Sequence, residues 1–346
     1  MQLYTLDPLS ECRWNDLVAT HPKASVFHQT GWLKALAKTY GYKVVALTST
    51  PPGEPLSDGL AFCEVRSWIT GNRLVSLPFT DHAEPLLNEK GASLDFAEWM
   101  RTKCRQRNWR YIELRPYSGT VDSRNSLLPS QSFWLHTLDL TPSTEQLFRN
   151  LHKSCIQRRI RHAQRQQLSY EKGGSSELLN EFYRLLMMNR RRFRLLPQPR
   201  VWFQNLIECM KPNAEIRLVR KDGVGIAAIL TLRHRGTVVY KYGCSDERFH
   251  HLAGMPLLFW KLIEESKMDG AETIDFGRTE MDNHGLVRFK GHFGAVRQRL
   301  NYFRYTERER ERTPARTDSP AARALLSALP DALSSRAGRL VYRHIG

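Results

Sequence analysis

Three short stretches of the chain hold side chains that could do acid–base or electrostatic work. "SLPFTDHAEPLL" (76–87) puts Asp81, His82 and Glu84 together just after a β-like run. "VVYKYGCSDERF" (238–249) groups Tyr240, Lys241, Tyr242 and Asp246. "RTEMDNHGLVRFKGHFG" (278–294) supplies Arg278, Glu280, His284, Lys290 and His292. Carboxylates can take a proton, lysine and arginine can hold phosphate or a developing oxyanion, and a phenol can donate to a carbonyl. Strand ends and turns are where such groups are often presented to a substrate. A surface or satisfied-core role is the commoner fate of any one of them, and His284, followed by Gly285, reads as a turn residue. Strand alternation predicts that Tyr240 and Tyr242 share one sheet face.

Familiar motifs are excluded by context. Asp275-Phe276-Gly277 matches the magnesium-binding triplet of protein kinases, but no H-R-D precedes it and too little chain follows. "GVGIAA" (223–228) lies between two β-like runs and opens no helix, so Gly223 marks a hairpin turn. No Walker loop, H-E-x-x-H or G-x-S-x-G occurs. The six cysteines are at least 35 residues apart, which excludes a CxxC zinc ribbon or redox pair and predicts buried thiols in a reducing compartment.

Charge points to the class of partner. The formal net charge is +17 over 346 residues. Residues 149–165 hold six Lys/Arg and no acid, Arg158, Arg159 and Arg161 among them, and residues 184–200 hold six more, with Arg190, Arg191, Arg192 and Arg194 nearly contiguous. Clustering of one sign predicts an anionic partner: phosphate, nucleic acid or anionic lipid. With 41% apolar residues and 15 Phe, the chain can fill a core. No apolar run nears the ~18 residues of a membrane span, and no signal peptide is legible at the N-terminus. The expectation is a cytoplasmic protein, with peripheral contact at the inner face of the membrane left open.

The elements that must position these residues form two similar series. In the first half, "LYTLD" is a strand, "LSECRWNDLVAT" and "GWLKALAKTYG" are helices, and Gly41 stops the second. A meander follows ("KVVALTS", "LAFCEVRSW", "RLVSLPF"), then the helix "SLDFAEWMRTKCRQRN" and the strand "YIEL". The second half ends the same way: "AEIRLVRKDG", "GIAAILTLRHRG" and "TVVYKYGCS", then the helix "MPLLFWKLIEESKMDG" and the strand "TIDF". This is a repeat of architecture. It predicts an α/β (α+β) fold of two tandem domains with mixed, mainly antiparallel sheets, bounded at 1–132 and 133–305. Residues 306–346 read as a charged linker and a short amphipathic tail that docks on the body or touches a membrane.

Several segments resemble a known family: "VFHQTGWLKALAKTYGY", "GNRLVSLPFTDHAEPLL", "YIELRP", "RRIRHAQRQQL", "NEFYRLLMMNRRRFRLLPQP" and above all "DFGRTEMDNHGLVRFKGHFGA". They are similar to the Fem-type (FemABX-like) transferases and, more closely, to the GNAT-type, BioF-like acetyltransferases associated with exopolysaccharide or cell envelope. The resemblance covers residues 24–305. It implies two tandem GNAT-like domains with the active site in the second, and transfer of an acyl or aminoacyl group to an amine. The implied donor is aminoacyl-tRNA or acyl-CoA, acting as a substrate, with no tightly bound cofactor and no metal. The implied acceptor is an envelope or polysaccharide precursor, and DNA is not expected as a partner. Acyl-CoA members carry Q/R-x-x-G-x-G/A before the crossover helix. Here "RFHHLAGMP" keeps Arg248 and Gly254 but has His251 where the first glycine belongs, a departure that Fem-type proteins share.

By the same resemblance, Lys290 stabilises developing charge or a donor phosphate, and Tyr242 donates to the carbonyl. Asp81 or Asp246 takes the amine proton, and Arg248, Gly254 and Arg278 hold the donor. Arg158, Arg159, Arg161, Arg190, Arg191, Arg192 and Arg194 hold a long polyanion. Lys290→Ala is expected to collapse turnover and leave the fold intact. Two further readings stay open on the same fold: a tRNA-binding protein without catalysis, and a scaffold with a degenerate site.

Overall fold

The structure is a computed structural model and describes residues 2–87, 96–118, 127–307, 338 and 340–344. In chain order the elements begin β1 (Tyr4–Leu6), α1 (Cys12–Thr20), α2 (Thr30–Tyr40), β2 (Lys43–Thr48), β3 (Leu60–Val65), β4 (Arg73–Val75), α3 (Phe96–Arg107) and β5 (Ile112–Leu114). There follow β6 (Leu128–Asp139), α4 (Thr144–Asn150), a π turn (Lys153–Gln157), α5 (Arg158–Gln164), β7 (Ser169–Gly173), α6 (Ser176–Arg192) and α7 (Arg200–Met210). The series closes with β8 (Ala214–Lys221), β9 (Val224–His234), β10 (Thr237–Ser245), a 3-10 turn (Glu247–Leu252), α8 (Gly254–Met268), β11 (Thr273–Glu280), α9 (His284–Gly291) and β12 (Val296–Tyr305). Described residues divide into two compact units: 2–133 with 299–307 and 340–344, and 134–298 with 338. Residues 299–305, assigned by sequence to the second domain, belong to the first unit because Phe303–Tyr305 pair antiparallel with β5. No described helix is long and apolar enough to cross a membrane.

In the first unit β1 through β4 pair antiparallel in order, and β5 then lies parallel to β4. Gly41 ends α2 at φ +70°, a left-handed conformation that glycine adopts without steric cost. Phe62, Leu74, Ile112 and Phe96 pack α3 onto the sheet. The predicted start of this helix, at 93–95, lies outside the described residues. So does most of the charged linker and tail, 308–337. The described end of the tail is docked on this unit: Arg73 Nη2 and Thr70 Oγ1 each donate to His344 O at 2.7 Å, and Tyr42 Oη donates to Tyr342 O at 2.8 Å.

A buried ion cluster braces the β5–β12 pair. Glu113, 2% exposed, accepts from Arg115 Nε at 2.9 Å and from Arg304 Nε at 2.7 Å. Burial alone would raise its pKa, but the two guanidiniums outweigh this and hold the carboxyl below its ordinary 4.5. A depressed carboxylate adds stability that is complete above its unfolded value and is lost as pH falls through the folded one. Glu113→Gln leaves two cations facing a neutral amide and should cost roughly 3 kcal/mol, since removing one partner of a buried pair strands the other. Thermal melts of both proteins across the acid range check this. The wild type should lose stability on acidification, and the variant should lack that component.

The second unit repeats the order. β7, β8, β9 and β10 form an antiparallel meander, α8 crosses over, and β11 returns parallel to β10. Meander, helix and parallel strand (β2-β3-β4-α3-β5 and β8-β9-β10-α8-β11) thus occur twice, as the repeat in the sequence predicts. One sheet face carries α4, α5, α8 and α9 over Ile229, Val238, Ile274 and Phe276. The other carries α6 and α7, whose Phe182, Trp202 and Phe203 meet Tyr242 and Cys244.

Candidate active site

The end of β10 shapes the site. Tyr240 sits opposite Thr231 on β9, yet Tyr242 sits opposite Leu230, so Lys241 is the extra residue of a β-bulge. A bulge reverses side-chain alternation beyond it and bends the strand. This corrects the expectation that the two tyrosines share a face. Tyr240 packs on Phe259 of α8, while Tyr242 packs on Phe203 of α7 and its Oη accepts from Trp202 Nε1 at 3.0 Å. The parallel pairing of β10 with β11 ends at Val239–Asp275, although β10 runs on to Ser245 and β11 to Glu280. The strands part beyond that point.

At this end of the unit lies a cavity of about 350 Å³. Its floor is Ile226 and Ala227 of β9 with the first residues of α8, Gly254, Met255 and Pro256. Arg159 and Cys155 line one wall, and Arg288 and Phe289 of α9 with its C-cap His292 line another. Ala253 caps α8 at φ +58° with no side-chain cap, and the N–H groups of Gly254 and Met255 have no acceptor among the described residues. Gly254 suits a close approach: a Cβ there would lie 3.2 Å from Ala227 Cβ, a tight contact. The open amino end of a fifteen-residue helix offers N–H donors and a partial positive charge, which suits an anion. Arg159 Nη2 donates to His250 O at 2.7 Å, and Ser245 Oγ lies 2.9 Å from His250 Nε2. Desolvation, then Arg192 and Arg159, hold His250 below its ordinary pKa, and desolvation, His152 and Arg288 do so for His292. The cavity is electropositive without needing charged histidines.

Of the residues picked out in sequence, Gly254, Arg159 and His292 line this cavity. Arg158, Arg161, Arg191 and Arg194 are exposed, with Arg161 stacked on Phe148. Arg190 donates to Gln198 Oε1, and Arg192 pairs with Glu247. Asp246 is buried and tied up: it caps the 3-10 turn by accepting from Arg248 N, and the Arg248 guanidinium bonded to it at 2.7 Å holds its carboxyl below the ordinary value. Such a carboxylate is a poor base, and Arg248 lies outside the cavity lining. Asp81 lies in the first unit, where its backbone carbonyl accepts from Tyr302 Oη at 2.7 Å.

Lys290 is 3% exposed, and its Nζ donates to Gly277 O, Arg278 O and Thr279 Oγ1 at 2.9, 3.1 and 2.8 Å. The ammonium pins α9 to the end of β11, whose Gly277 turns at φ +72° under a 2.7 Å bond from its N–H to Asp275 Oδ1. Asp275, at the end of the strand by sequence, thus lies within β11, and its carboxylate accepts from the Gly277 N–H. Tyr242 likewise has a packing partner, so Tyr242→Phe should strand the Trp202 N–H and cost about 1–2 kcal/mol in thermal unfolding. Turnover at saturating substrate should change little.

Sequence reading missed Arg288, Phe289 and His250. Arg288 on α9 and His292 at its C-cap are four residues apart and share a face, while Lys290 between them points inward. Helical periodicity in "LVRFKGH" was the available signal.

Residues 149–291 match the family model of the Acetyltransferase (GNAT) domain. No curated protein matches the chain by sequence. Among solved structures, FemX superposes with a TM-score of 0.71 at 13% identity, over 88% of this chain and 97% of that one. The C-terminal domain of a putative lysylphosphatidylglycerol synthetase from Agrobacterium fabrum gives 0.56 at 14% identity, over 87% and 92%. A tandem GNAT protein from the clavulanic acid biosynthesis pathway gives 0.56 at 12%, over 88% and 98%. Parting parallel strands with an uncapped helix end beside them thus lie inside the segment that matches the GNAT acetyltransferase domain. The fold over most of the chain is similar to those of FemX and the tandem GNAT protein.

Proposed function

We propose that the protein transfers an acyl or aminoacyl group from a phosphate-bearing donor to an amine of a cell-envelope or exopolysaccharide precursor. The observation that carries this reading is the unpaired amino end of α8, set in an electropositive cavity with Arg159 and Arg288. A donor phosphate there meets the N–H groups of Gly254 and Met255, and its reactive carbonyl extends toward the gap between β10 and β11. The donor is a dissociable substrate, aminoacyl-tRNA or acyl-CoA. Lys290, Asp246 and Arg248 act as positioning residues: Lys290 fixes α9, and the Asp246–Arg248 pair fixes the 3-10 turn that leads into α8. The fold likeness to FemX and to a domain named for lysylphosphatidylglycerol synthesis supports an envelope acceptor. The exposed Arg158, Arg161, Arg191 and Arg194 favour a polyanion larger than the cavity, which also supports a non-catalytic tRNA-binding reading.

Calorimetric titration with CoA, followed by assays with labelled acetyl-CoA and aminoacyl-tRNA and an envelope-precursor amine, tests the proposal. Transfer from either donor supports it. Salt-sensitive tRNA binding without transfer replaces it with the binding reading. Absence of both overturns it.

A further inference from the structure

We infer that His152, Cys155 and His292 form a binding site for a divalent cation of the zinc class at the edge of the candidate cavity. One ligand atom from each side chain lies within 4.8 Å of the others. Two ligands on one tetrahedral zinc stand about 3.6 Å apart, given bond lengths of about 2.0–2.3 Å. Metal binding must draw the ligand atoms about an ångström closer.

The backbone already gathers the three. His152 N donates to His292 O at 2.9 Å, which holds the imidazoles with ring centroids 4.3 Å apart. His152 and Cys155 are three residues apart across the π turn, and the Cys155 N–H donates to His152 Nδ1 at 3.2 Å. That lone pair is therefore directed at the Cys155 backbone. A metal taking it up replaces this long hydrogen bond and a 3.4 Å contact from Ser154 Oγ to the same nitrogen.

The ligand set selects the metal. Two imidazoles and a thiolate suit zinc or cobalt and disfavour magnesium or calcium, which prefer oxygen. On binding, the Cys155 thiol releases its proton to solvent and the thiolate offsets one metal charge, which matters beside Arg159 and Arg288. His152 is exposed, Cys155 and His292 are half-buried, and the latter two line the cavity. Three protein ligands leave a fourth position for water or a ligand in the cavity.

The test is titration of the untagged, reduced, metal-free full chain with Co²⁺, followed by displacement with Zn²⁺. It reads metal binding and not transfer, so its failure is distinct from failure of the acyltransferase reading. A sulfur-to-cobalt charge-transfer band saturating at one equivalent is expected, abolished in Cys155→Ser. Affinity should fall at least tenfold in His292→Ala and in His152→Asn, which keeps a cap acceptor for Cys155 N but loses the imidazole. Circular dichroism of each variant separates lost ligation from lost fold. No band in the wild type, a band that survives Cys155→Ser, or unchanged affinity in the folded His152→Asn variant overturns the inference.

Discussion

Lys290→Ala is expected to destabilise the second unit by roughly 3 kcal/mol and to lower turnover through that loss. The sequence alone suggested a variant with an intact fold. The structure reverses this because the ammonium is buried and donates to two carbonyls and a hydroxyl, all at the end of β11. Truncation leaves these acceptors facing a small cavity, and each buried polar group stripped of its partner costs about 1–3 kcal/mol, less where water enters. In a unit of this size each kcal/mol moves the melting point by about 2–4 °C, so a shift on the order of 10 °C is readable by calorimetry. Lys290→Met keeps most of the stem's packing and separates the apolar from the polar share. A pure oxyanion role predicts the opposite pattern: an unchanged melting point with lost turnover. Donor affinity supplies the second readout. Detaching α9 displaces Arg288, so the apparent dissociation constant should rise together with the fall in stability.

What could be read in sequence was what depends on period and punctuation. The duplicated order of meander, helix and strand follows from apolar patterning, and the stop at Gly41 follows from its freedom to take positive φ. The basic segments 149–165 and 184–200 were legible as charge, and Arg159 among them reaches the cavity. What stayed hidden depends on one-residue events and on faces. The extra residue at Lys241 breaks the alternation that would have placed Tyr240 and Tyr242 together, and nothing in "YKY" announces a bulge. His284, followed by Gly285, reads as a turn residue, although Asn283 Oδ1 accepts from Leu286 N and starts a helix there. Once the segment is a helix, the roles exchange: the lysine singled out by sequence points into the core, and its neighbours Arg288 and His292 face the cavity. A carboxylate such as Asp246 reads as a base in sequence. Only its geometry with Arg248 shows that its lone pairs are taken.

Arg288→Ala should weaken donor binding by roughly ten- to hundredfold, and the double variant with Arg159→Ala by more. A hydrogen bond to a charged group contributes about 1.5–3 kcal/mol, and each 1.4 kcal/mol is a factor of ten in affinity. Arg288 is the cleaner probe, because Arg159 also holds the His250 carbonyl at 2.7 Å and its removal loosens the 3-10 turn. The exposed Arg161, stacked on Phe148 at 5.3 Å, lies outside the cavity lining and distinguishes the donors. If the donor is acyl-CoA, Arg161→Ala should leave its affinity unchanged while Arg288→Ala lowers it. If the donor is tRNA, both variants should weaken binding. Each should also flatten the dependence of log K on log salt by about 0.7–0.9 for every phosphate no longer neutralised. Filter binding and calorimetry across a salt series read both quantities. A wild-type dissociation constant in Arg288→Ala for both donors would remove the phosphate from the amino end of α8, and with it the geometric basis for placing transfer in this cavity.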